Sequence, residues 1–587
     1  MSDWRPQRTL AEVEALLCAP GSVHELETRL IDGRVHRVYK NQWPSARTFW
    51  LWCSDLHGDK LYVVFENQRY TYKQVFTSSL RAASIYSKIY GVKKGDRVGI
   101  CSRNYPEYLV AFWACHLIGA VPVLANAWLP TAPLVHCLVN TQCKLIILDS
   151  ERADRLEPVV KKLTAEAGAT GVVVIESYEG KGHWKGMQRW ETVLKNYKGD
   201  STQILKHDPE LVPEDNAVIF FTSGTTGLPK GVLSTHRQFL TNALNTLVAR
   251  RRAVLRRGEE IPVPSPEDPQ PGVLIAVPLF HVTGMSSLTL TTSLAGGKIT
   301  LIRKWNPAEA ARLIKQERLT SAGGVPSMAA DLIESALKGY DLDSLTFGGA
   351  PAASIFTTRA RRAFPNVTLS QGYGLTETNS IATSVAGDDY VARPTCCGLP
   401  SPVNDILIMK DGQALPRGQI GEIWIRGVNI FQGYWRDPAA TAKVVTKDGW
   451  FATGDLGLQD EEGFVYIRDR IKDIIIRGGE NIDSSTVENA LFTEGVREVA
   501  AVAVPDKRLG ELVAAVVSIK PEYRDKITEE SLITLSRTHL PSFAVPVLVL
   551  FQAEFPHNPA GKILKSELRE LARREWEKRG RKPAAKL

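Results

Sequence analysis

The sequence predicts an α/β protein with a large N-terminal body of layered sheets and a small, mobile α+β domain at its C-terminal end. From about residue 70, helical segments alternate with short apolar segments, which is typical of largely parallel sheets covered by helices. Near residue 470 this pattern gives way to short strands, separate helices and a charged tail. At 587 residues the chain also exceeds one ordinary core, so two or more domains are expected.

The elements of the N-terminal part can be assigned in order from their periodicity. A short helical run at residues 9–17 lies in an N-terminal extension that otherwise carries Gly and Pro. The apolar stretch at residues 108–125 is interrupted by Gly119 and Pro122, so it predicts a buried helix followed by a strand rather than a membrane span. The sequence predicts helices at residues 72–90 and 105–118, and strands at 97–100, 121–124, 145–148 and 171–175.

The C-terminal part has a different pattern. We expect loops at residues 196–216 and 256–272, and then a separate α+β domain that begins at the element around residue 470. This last domain is predicted to contain helices at residues 484–492 and 529–538, and strands at 499–504 and 512–519.

Composition excludes several classes of protein. Hydrophobic residues make up 44% and charged residues 23%, as in a soluble globular protein, and no run is apolar enough to span a bilayer. The eight cysteines are scattered without a Cys-x-x-Cys pair, which argues against a zinc ribbon or a disulfide framework and favours a reducing compartment. Basic residues cluster at 250–257 and 573–586, but no nucleic-acid module accompanies them. Attraction of a phosphate-rich small molecule fits these clusters better.

A segment rich in Gly and hydroxyl residues directly follows a short apolar run at residues 217–221, which predicts a buried strand. Glycines let backbone N–H groups approach an anion, hydroxyls donate hydrogen bonds to its oxygens, and lysine supplies compensating charge. The spacing differs from the Walker pattern. A plain polar turn is the alternative, yet consecutive threonines, a serine and a lysine favour a phosphate-binding loop. Its residues are Thr222, Ser223, Gly224, Thr225, Thr226, Gly227 and Lys230.

Five further motifs follow this loop in a fixed order. They are Gly372-Tyr373-Gly374-Leu375-Thr376-Glu377-Thr378, Thr453-Gly454-Asp455, Asp469-Arg470-Ile471-Lys472-Asp473, Gly478-Gly479-Glu480-Asn481-Ile482 and Asn558-Pro559-Ala560-Gly561-Lys562-Ile563. In this order and spacing the six motifs resemble the adenylate-forming superfamily, which includes acyl-CoA synthetases, the adenylation domains of peptide synthetases and beetle luciferases. The resemblance runs from about residue 58 to about residue 571, which is most of the chain.

The resemblance implies a nucleotide site. The phosphate loop would hold the β- and γ-phosphates of ATP, Thr376 would contact the α-phosphate, and Glu377 would bind magnesium. The adenine would lie against Tyr373, and Asp455 would accept both ribose hydroxyls with Arg470 beside it. A lone Glu or Asp in such a turn is otherwise a common solvated or capping residue, so these roles depend on the order of the motifs. The small residues expected around the adenine and its motif are Gly349, Ala350, Pro351, Gly372 and Gly374.

The resemblance also implies how two half-reactions share one site. His281 would lie at the mouth of the acyl pocket, although a lone His in an apolar run is more often a core residue. Lys562 would bridge the carboxylate and the α-phosphate during adenylation. The small domain would then rotate at Lys472, withdraw Lys562 and complete a tunnel for the pantetheine thiol of coenzyme A. The residues expected to line that tunnel are Gly478, Gly479 and Glu480.

These expectations define an enzyme, an AMP-forming acid–thiol ligase that uses ATP, Mg²⁺ and coenzyme A. Its substrate would be a carboxylic acid, either a medium- or long-chain fatty acid or an aryl acid. The alternatives are a stand-alone acyl-AMP ligase that loads a carrier protein and a catalytically silent nucleotide-binding homologue. The intact Glu377, Asp455 and Lys562 argue against the silent homologue. The expected division is an N-terminal extension at residues 1–52, an AMP-binding (adenylation) domain at 53–469 and the mobile domain at 470–587.

The sequence carries a candidate address as well. Ala585-Lys586-Leu587 resembles the Ser-Lys-Leu peroxisomal signal, with a small residue in the place of the serine. We therefore expect a peroxisomal location, with an import receptor as a partner, and otherwise a cytoplasmic one. The first residues lack the apolar core of a secretory signal.

Overall fold

A computed structural model describes residues 4–175, 181–222, 228–265, 267–348, 355–558 and 561–580 of the chain. Among these residues no helix is both long and apolar enough to cross a membrane. The helices are α1 (Leu10–Leu17), α2 (Ala46–Leu56), α3 (Tyr72–Lys88), α4 (Pro106–Leu117), α5 (Thr131–Asn140), α6 (Ser150–Leu156), α7 (Val160–Ala167), α8 (Trp190–Asn196), α9 (Gln203–Lys206), α10 (His236–Arg256), α11 (Leu290–Leu294), α12 (Pro307–Gln316), α13 (Pro326–Glu334), α14 (Ile355–Ala363), α15 (Gly387–Ala392), α16 (Pro438–Val444), α17 (Ser484–Leu491), α18 (Glu529–His539) and α19 (Lys565–Lys578).

In the described part of the chain, five sheets are formed by the following strands. They are β1 (Leu26–Ile31), β2 (Arg34–Tyr39), β3 (Leu61–Phe65), β4 (Gln68–Thr71), β5 (Arg97–Cys101), β6 (Val121–Leu124), β7 (Cys143–Leu148), β8 (Gly171–Val174), β9 (Gln188–Arg189), β10 (Asn216–Thr222), β11 (Lys230–Thr235), β12 (Gly272–Ile275), β13 (Lys298–Leu301), β14 (Ser321–Gly324), β15 (Ser344–Gly348), β16 (Thr368–Tyr373), β17 (Thr383–Ala386), β18 (Leu399–Pro400), β19 (Asn404–Lys410), β20 (Gln413–Ala414), β21 (Gly421–Gly427), β22 (Gly433–Tyr434), β23 (Phe451–Gln459), β24 (Val465–Arg470), β25 (Ile475–Arg477), β26 (Glu480–Ile482), β27 (Val496–Asp506), β28 (Gly510–Ile519) and β29 (Leu548–Phe551).

Two large sheets form the body and confirm the predicted α/β class. One has the order β22-β11-β10-β6-β5-β7-β8-β9, and the other has the order β18-β17-β16-β15-β14-β12-β13-β3-β4. Strands β10, β6, β5, β7, β8 and β9 pair in parallel in the first sheet, as do β3 and β12–β16 in the second. Their apolar side chains and the covering helices build one extensive buried cluster and a second, smaller one formed with strands of the first sheet, because strands covered on both faces have no polar side to expose.

Two smaller sheets follow along the chain. One has the order β20-β19-β21-β23-β24 and is antiparallel. The other has the order β26-β25-β28-β27, with β29 beside β28, and it packs with α17, α18 and α19 around its own buried clusters. The change of pattern predicted near residue 470 thus marks the passage from one sheet to the next, at the end of β24.

Local sequence explains several helix boundaries. Thr71 caps the start of α3, and Thr235 caps the start of α10. In each capping box the Thr side chain accepts the backbone N–H of the Gln at N3, and the side chain of that Gln accepts the backbone N–H of the Thr. Pro106 takes the first position of α4, where its missing N–H costs nothing. The apolar stretch there is a buried helix followed by strand β6, as predicted.

The N-terminal extension is part of the packed structure. The helix predicted at residues 9–17 is confirmed as α1, and the β1–β2 hairpin that follows it was not predicted. Both elements pack beside α10: α1 through Val13 and Leu17, and the hairpin through Val38 and Tyr39. Helix α10 therefore lies between the extension and the body and contacts both of them.

Candidate active site

The predicted phosphate loop lies between two paired strands. Strand β10 ends at Thr222, and β11 begins at Lys230, directly opposite it in the antiparallel register. The hydroxyl of Thr222 is 3.5 Å from the backbone oxygen of Lys230. The five remaining residues predicted for this loop, Ser223, Gly224, Thr225, Thr226 and Gly227, lie outside the described residues, as do Gly349, Ala350 and Pro351.

Asp455 lies at the centre of a polar cluster. Its side chain is almost completely buried, and Oδ2 accepts a hydrogen bond of 2.8 Å from the Tyr373 hydroxyl. Oδ1 is 3.1 Å from Nε of Arg470, because Asp455 on β23 and Arg470 on β24 are register partners. The structure therefore brings together three residues that lie in three separate motifs of the sequence.

Glu377 lies in a short 3₁₀ turn, Thr376–Thr378, directly after β16. Its carboxylate is buried, which raises its pKa, and the hydroxyl of Tyr434 donates a 2.8 Å hydrogen bond to Oε1, which opposes that rise. The Lys230 ammonium lies 4.9 Å from the centre of the same Tyr434 ring. Tyr434 thus connects the predicted metal ligand to the lysine of the phosphate loop.

The glycines beside Tyr373 allow the close approach of neighbouring segments. A β-carbon on Gly372 would lie 2.6 Å from Cδ1 of Ile381, and one on Gly374 would lie 1.4 Å from the backbone oxygen of Ser380. Gly374 in particular admits no side chain unless the backbone moves. In the structure these two glycines fix the shape of the turn that carries Thr376 and Glu377.

His281 is partly buried, beside the start of a π-helix at Thr283–Thr289. Burial, with the nearby charge of Lys562, lowers its pKa to about 4, so the ring is neutral at physiological pH. Nδ1 accepts the backbone N–H of Thr283 at 3.2 Å. Since a backbone N–H can only donate, the neutral ring carries its proton on Nε2.

Lys562 reaches this cluster from the C-terminal sheet. Its loop is closed by hydrogen bonds between Asn558 and Lys562, from N–H of Asn558 to the Lys562 oxygen at 2.8 Å and from N–H of Lys562 to Asn558 Oδ1 at 2.9 Å. Burial beside Arg470 lowers the Lys562 pKa to about 8, although Asp455 opposes the shift. The charges of Arg470 and Asp455 therefore act on Lys562, and the charge of Lys562 acts on His281.

The loop is docked against the body. Gly561 has a φ of +81°, and a β-carbon there would lie 2.6 Å from Cγ2 of Val325, next to α13. Further ion pairs join the C-terminal elements to α13. Glu334 pairs with Lys520, and Asp331 lies 3.7 Å from Arg497. These contacts hold the loop of Lys562 against the start of α13.

The predicted hinge and tunnel residues lie elsewhere. Lys472 is exposed in a 3₁₀ turn, Ile471–Asp473, and partial desolvation beside Arg470 lowers its pKa. Gly478 and Gly479, with φ of +60° and +93°, form an exposed turn between β25 and β26, where Glu480 begins β26. The three residues predicted to line the tunnel are thus exposed at the surface in this structure.

Two features differ from the sequence interpretation. Arg252 and Arg256 of the basic cluster are buried in ion pairs with Glu14 and Asp389, so these two cannot attract a free anion. Tyr434 was missed, although the aromatic run Tyr434-Trp435 directly after a glycine is the kind of signal that could have drawn attention to it.

Within the described residues no group of three or more His, Cys, Asp or Glu side chains forms a metal site.

The chain is similar to known proteins over most of its length. The profile of the AMP-binding enzyme family matches residues 51–435, and that of the AMP-binding enzyme C-terminal domain matches residues 486–562. A feruloyl-CoA synthase from Amycolatopsis is 33% identical over 82% of this chain and 89% of its own length. A long-chain-fatty-acid–CoA ligase from Escherichia coli O6:H1 is 33% identical over 86% of this chain and 90% of its own length.

The fold is also found among solved structures. The o-succinylbenzoate coenzyme A synthetase MenE of Bacillus subtilis, in complex with ATP and magnesium ion, superposes with a TM-score of 0.69 at 25% identity. The similarity covers 90% of this chain and all of that one. The profile match, which spans more than half of the chain, and the two relatives above 30% identity lead to the same conclusion. This chain belongs to the AMP-binding enzyme family.

Proposed function

We propose that this protein is an ATP-dependent acyl-CoA synthetase, an AMP-forming acid–thiol ligase that activates a medium- or long-chain fatty acid or an aryl acid. The observation that carries the proposal is the convergence of Lys562 with His281, Asp455 and Arg470 in one cluster. The names of the two relatives, a feruloyl-CoA synthase and a long-chain-fatty-acid–CoA ligase, support both substrate classes.

In the first half-reaction a carboxylate oxygen attacks the α-phosphorus of ATP, the bond to the β-phosphate oxygen breaks, and acyl-AMP and pyrophosphate form. Both reactants are anions, so cationic and hydrogen-bond-donating groups must offset their repulsion. We assign that role to the Lys562 ammonium and to the Nε2–H of His281, which would act as a neutral hydrogen-bond donor. Thr376 would contact the α-phosphate from its turn after β16.

Nucleotide binding would use the remaining cluster. Asp455 is held by Tyr373 and Arg470, so its carboxylate is oriented before the ribose hydroxyls arrive. Thr222 and Lys230 frame the phosphate loop and would bring its residues to the β- and γ-phosphates. The adenine would lie against Tyr373, beside Gly372 and Gly374, with Gly349, Ala350 and Pro351 on its other side.

A magnesium ion fits this site through Glu377. Mg²⁺ is commonly bound by one or two carboxylates together with substrate phosphates and water, rather than by an all-protein cage. A single buried carboxylate, oriented by Tyr434 and close to the phosphate loop, matches that pattern. When bound, the ion would neutralise phosphate charge, and Glu377 would hold it in place.

The second half-reaction transfers the acyl group to coenzyme A. The thiol sulfur attacks the acyl carbon, a thioester forms, the thiol proton leaves and AMP departs. We propose that the domain of residues 470–587 rotates at Lys472 relative to the adenylation domain of residues 53–469. Lys562 would then withdraw, and the exposed turn of Gly478, Gly479 and Glu480 would enter the site. Half-reaction rates in variants that weaken the docked arrangement test this rotation.

The decisive experiment is a pyrophosphate-release screen. Purified protein is given ATP, Mg²⁺ and acids of increasing chain length, with cinnamate- and benzoate-type aryl acids, in the presence and absence of coenzyme A. We expect release with at least one fatty or aryl acid and formation of the matching acyl-CoA. Release without any acyl-CoA would favour a ligase that loads a carrier protein. ATP binding without release from any acid would identify a silent homologue and overturn the proposal.

The peroxisomal location is a prediction from the sequence. Residues 581–587, which contain Ala585-Lys586-Leu587, lie outside the described residues, and the relatives named above are bacterial and lend no support to a peroxisomal address. Deleting these three residues should leave catalysis intact and abolish organelle import. Unchanged punctate localisation after the deletion would disprove the address and its import receptor.

A further inference from the structure

One buried amide joins the two halves of the site. Asn242, on α10, is fully buried, and its Nδ2 donates to the backbone oxygen of Ser286 at 2.8 Å and lies 3.1 Å from Oγ of Ser287. Its Oδ1 accepts the backbone N–H of Ile381 at 2.8 Å. Because a carbonyl can only accept and an N–H can only donate, the orientation of this amide is fixed by its partners.

The two segments that Asn242 joins lie near different groups of the proposed site, one near His281 and the other near Glu377. Ser286 and Ser287 lie in the π-helix Thr283–Thr289, which begins two residues after His281. Ile381 lies three residues after the turn Thr376–Thr378, which contains Glu377. A second bond of 2.8 Å, from Oγ of Ser287 to Oγ of Ser380, connects the same two segments. The distance between the carboxylate side and the phosphate side of the site therefore depends on these contacts.

The segment held by Asn242 has an unusual backbone. Asn379 has a φ of +57° and Ser380 a φ of +105°, values that residues with side chains rarely adopt. Such conformations persist only where surrounding contacts enforce them, and they occur most often at functional sites. Here the enforcing groups are further buried asparagines. Asn245 donates to the Ile381 oxygen at 3.0 Å, and Asn429 donates to the Thr378 oxygen at 3.0 Å.

We propose that Asn242 is a positioning residue for adenylation, which aligns the carboxylate held beside His281 with the α-phosphate held beside Thr376. The inference rests on the proposed function. In the first half-reaction the acid and ATP are separate molecules, so only the protein sets their alignment. In acyl-AMP the carboxyl carbon and the phosphate are already linked through oxygen. The second half-reaction therefore depends far less on the bridge.

The test compares the two half-reactions in Asn242→Leu. We expect pyrophosphate formation to slow at least tenfold, because small misalignments of reacting groups have large effects on rate. The KM for ATP and the transfer of supplied acyl-AMP to coenzyme A should both stay within about threefold of the unaltered protein. The matched control is Thr241→Val, which removes a buried hydroxyl on the same helix that bonds Arg237 and Gln42 instead. It should show no such split.

A milder variant protects the test against misfolding. Ser287→Ala removes the hydroxyl bond to Ser380 and the contact of that hydroxyl with Nδ2 of Asn242, but it keeps the Asn242 bonds to Ser286 and Ile381, and we expect the same split at about threefold. Equal slowing of both half-reactions in Asn242→Leu, or no split in Ser287→Ala if Asn242→Leu does not fold, would overturn the positioning role. These outcomes are read only against unaltered protein that releases pyrophosphate. An unaltered chain that releases none with any acid overturns the proposed function itself.

Discussion

The Tyr434 hydroxyl donates a 2.8 Å hydrogen bond to Oε1 of Glu377. The Lys230 ammonium lies 4.9 Å from the centre of the same tyrosine ring. Tyr434 lies on β22, a two-residue strand at the edge of the first large sheet, where it pairs with Val232 of β11. This edge strand therefore supplies a side chain that orients the proposed magnesium ligand and contacts the proposed phosphate-binding lysine together.

Replacing Tyr434 with phenylalanine should weaken the metal site while keeping the ring. Glu377 would lose the donor that orients it, and loss of such an outer partner typically costs about 10- to 100-fold in metal affinity or activity. We expect the Mg²⁺ concentration for half-maximal adenylation to rise about tenfold. A Mg²⁺ titration of pyrophosphate release measures this. Tyr340→Phe, at a half-buried tyrosine whose hydroxyl lies 3.4 and 3.5 Å from two backbone oxygens, is the control. An unchanged Mg²⁺ dependence in Tyr434→Phe would contradict the assignment.

The pKa of Lys562 predicts a pH dependence. Burial lowers that pKa to about 8, so the ammonium is present below pH 8 and is lost as the pH rises through that value. Since kcat/KM reports the free enzyme, kcat/KM for adenylation should fall about tenfold per pH unit above about pH 8. Bound phosphates favour the charged form, so kcat should fall only at higher pH. Transfer from supplied acyl-AMP should lack this fall. A parallel fall in both half-reactions would exclude Lys562 as its cause.

The fold was largely predictable because its buried strands and amphipathic helices leave a periodic signal. The helix expected at residues 72–90 is α3 (Tyr72–Lys88), and the strand expected at 145–148 lies within β7. The β1–β2 hairpin was missed because most of its side chains are partly or fully exposed, and its two buried residues, Val38 and Tyr39, are adjacent and so give no alternating pattern.

The site was predictable only in part. Asp455, Glu377 and Lys562 lie in motifs whose order survives in the sequence. The roles proposed for Tyr434 and Asn242 rest on contacts between segments that are far apart along the chain. Their roles depend on the register of β22 with β11 and on a π-helix, and neither leaves a local pattern in composition or spacing.

Tyr39 should affect adenylation from outside the family match, which begins at residue 51. Its hydroxyl donates to Oδ1 of Asn245 at 2.8 Å, and Asn245 in turn holds the Ile381 oxygen. Tyr39→Phe leaves the buried Oδ1 of Asn245 without its donor, which costs about 1–3 kcal/mol of free energy. We expect adenylation to slow about fivefold or more, as measured by pyrophosphate release. Tyr90→Phe removes a comparable tyrosine–amide bond to Gln188 at 2.7 Å and is the control. Equal effects of the two variants would show that Tyr39 only stabilises the fold.

The ion pairs of Glu334 should favour the docked arrangement. Glu334 pairs with Lys520, the residue that directly follows β28, and it also lies 3.3 Å from Arg359 of α14. Because Glu334 is partly exposed, its pairs are worth at most about 1 kcal/mol. Glu334→Gln should therefore slow adenylation about two- to fivefold, less at high salt, and leave transfer from acyl-AMP unchanged or faster. Glu309→Gln, which breaks a 2.6 Å pair with Arg312 inside α12, is the matched control. Equal slowing of both half-reactions would argue against a docking role.

Lys562→Ala separates this mechanism from simple ATP binding. The ammonium is proposed to neutralise charge between the carboxylate and the α-phosphate only while the adenylate forms. Its loss should cost ~3–4 kcal/mol of transition-state stabilisation, which is about a hundredfold to thousandfold in the rate of adenylation. ATP affinity should change little, because Asp455 and the phosphate loop remain.

The two half-reactions of Lys562→Ala should then diverge. Supplied acyl-AMP should react with coenzyme A at a near-normal rate, since Lys562 is withdrawn in the rotated arrangement. Lys578→Ala removes an ammonium group from an exposed lysine on α19, in the same domain, and should leave both rates unchanged. Stopped assays of pyrophosphate and of thioester, made on one preparation of each variant, provide the comparison. If thioester formation from acyl-AMP falls as far as adenylation does, a single arrangement of the domains serves both steps and the proposed rotation is wrong.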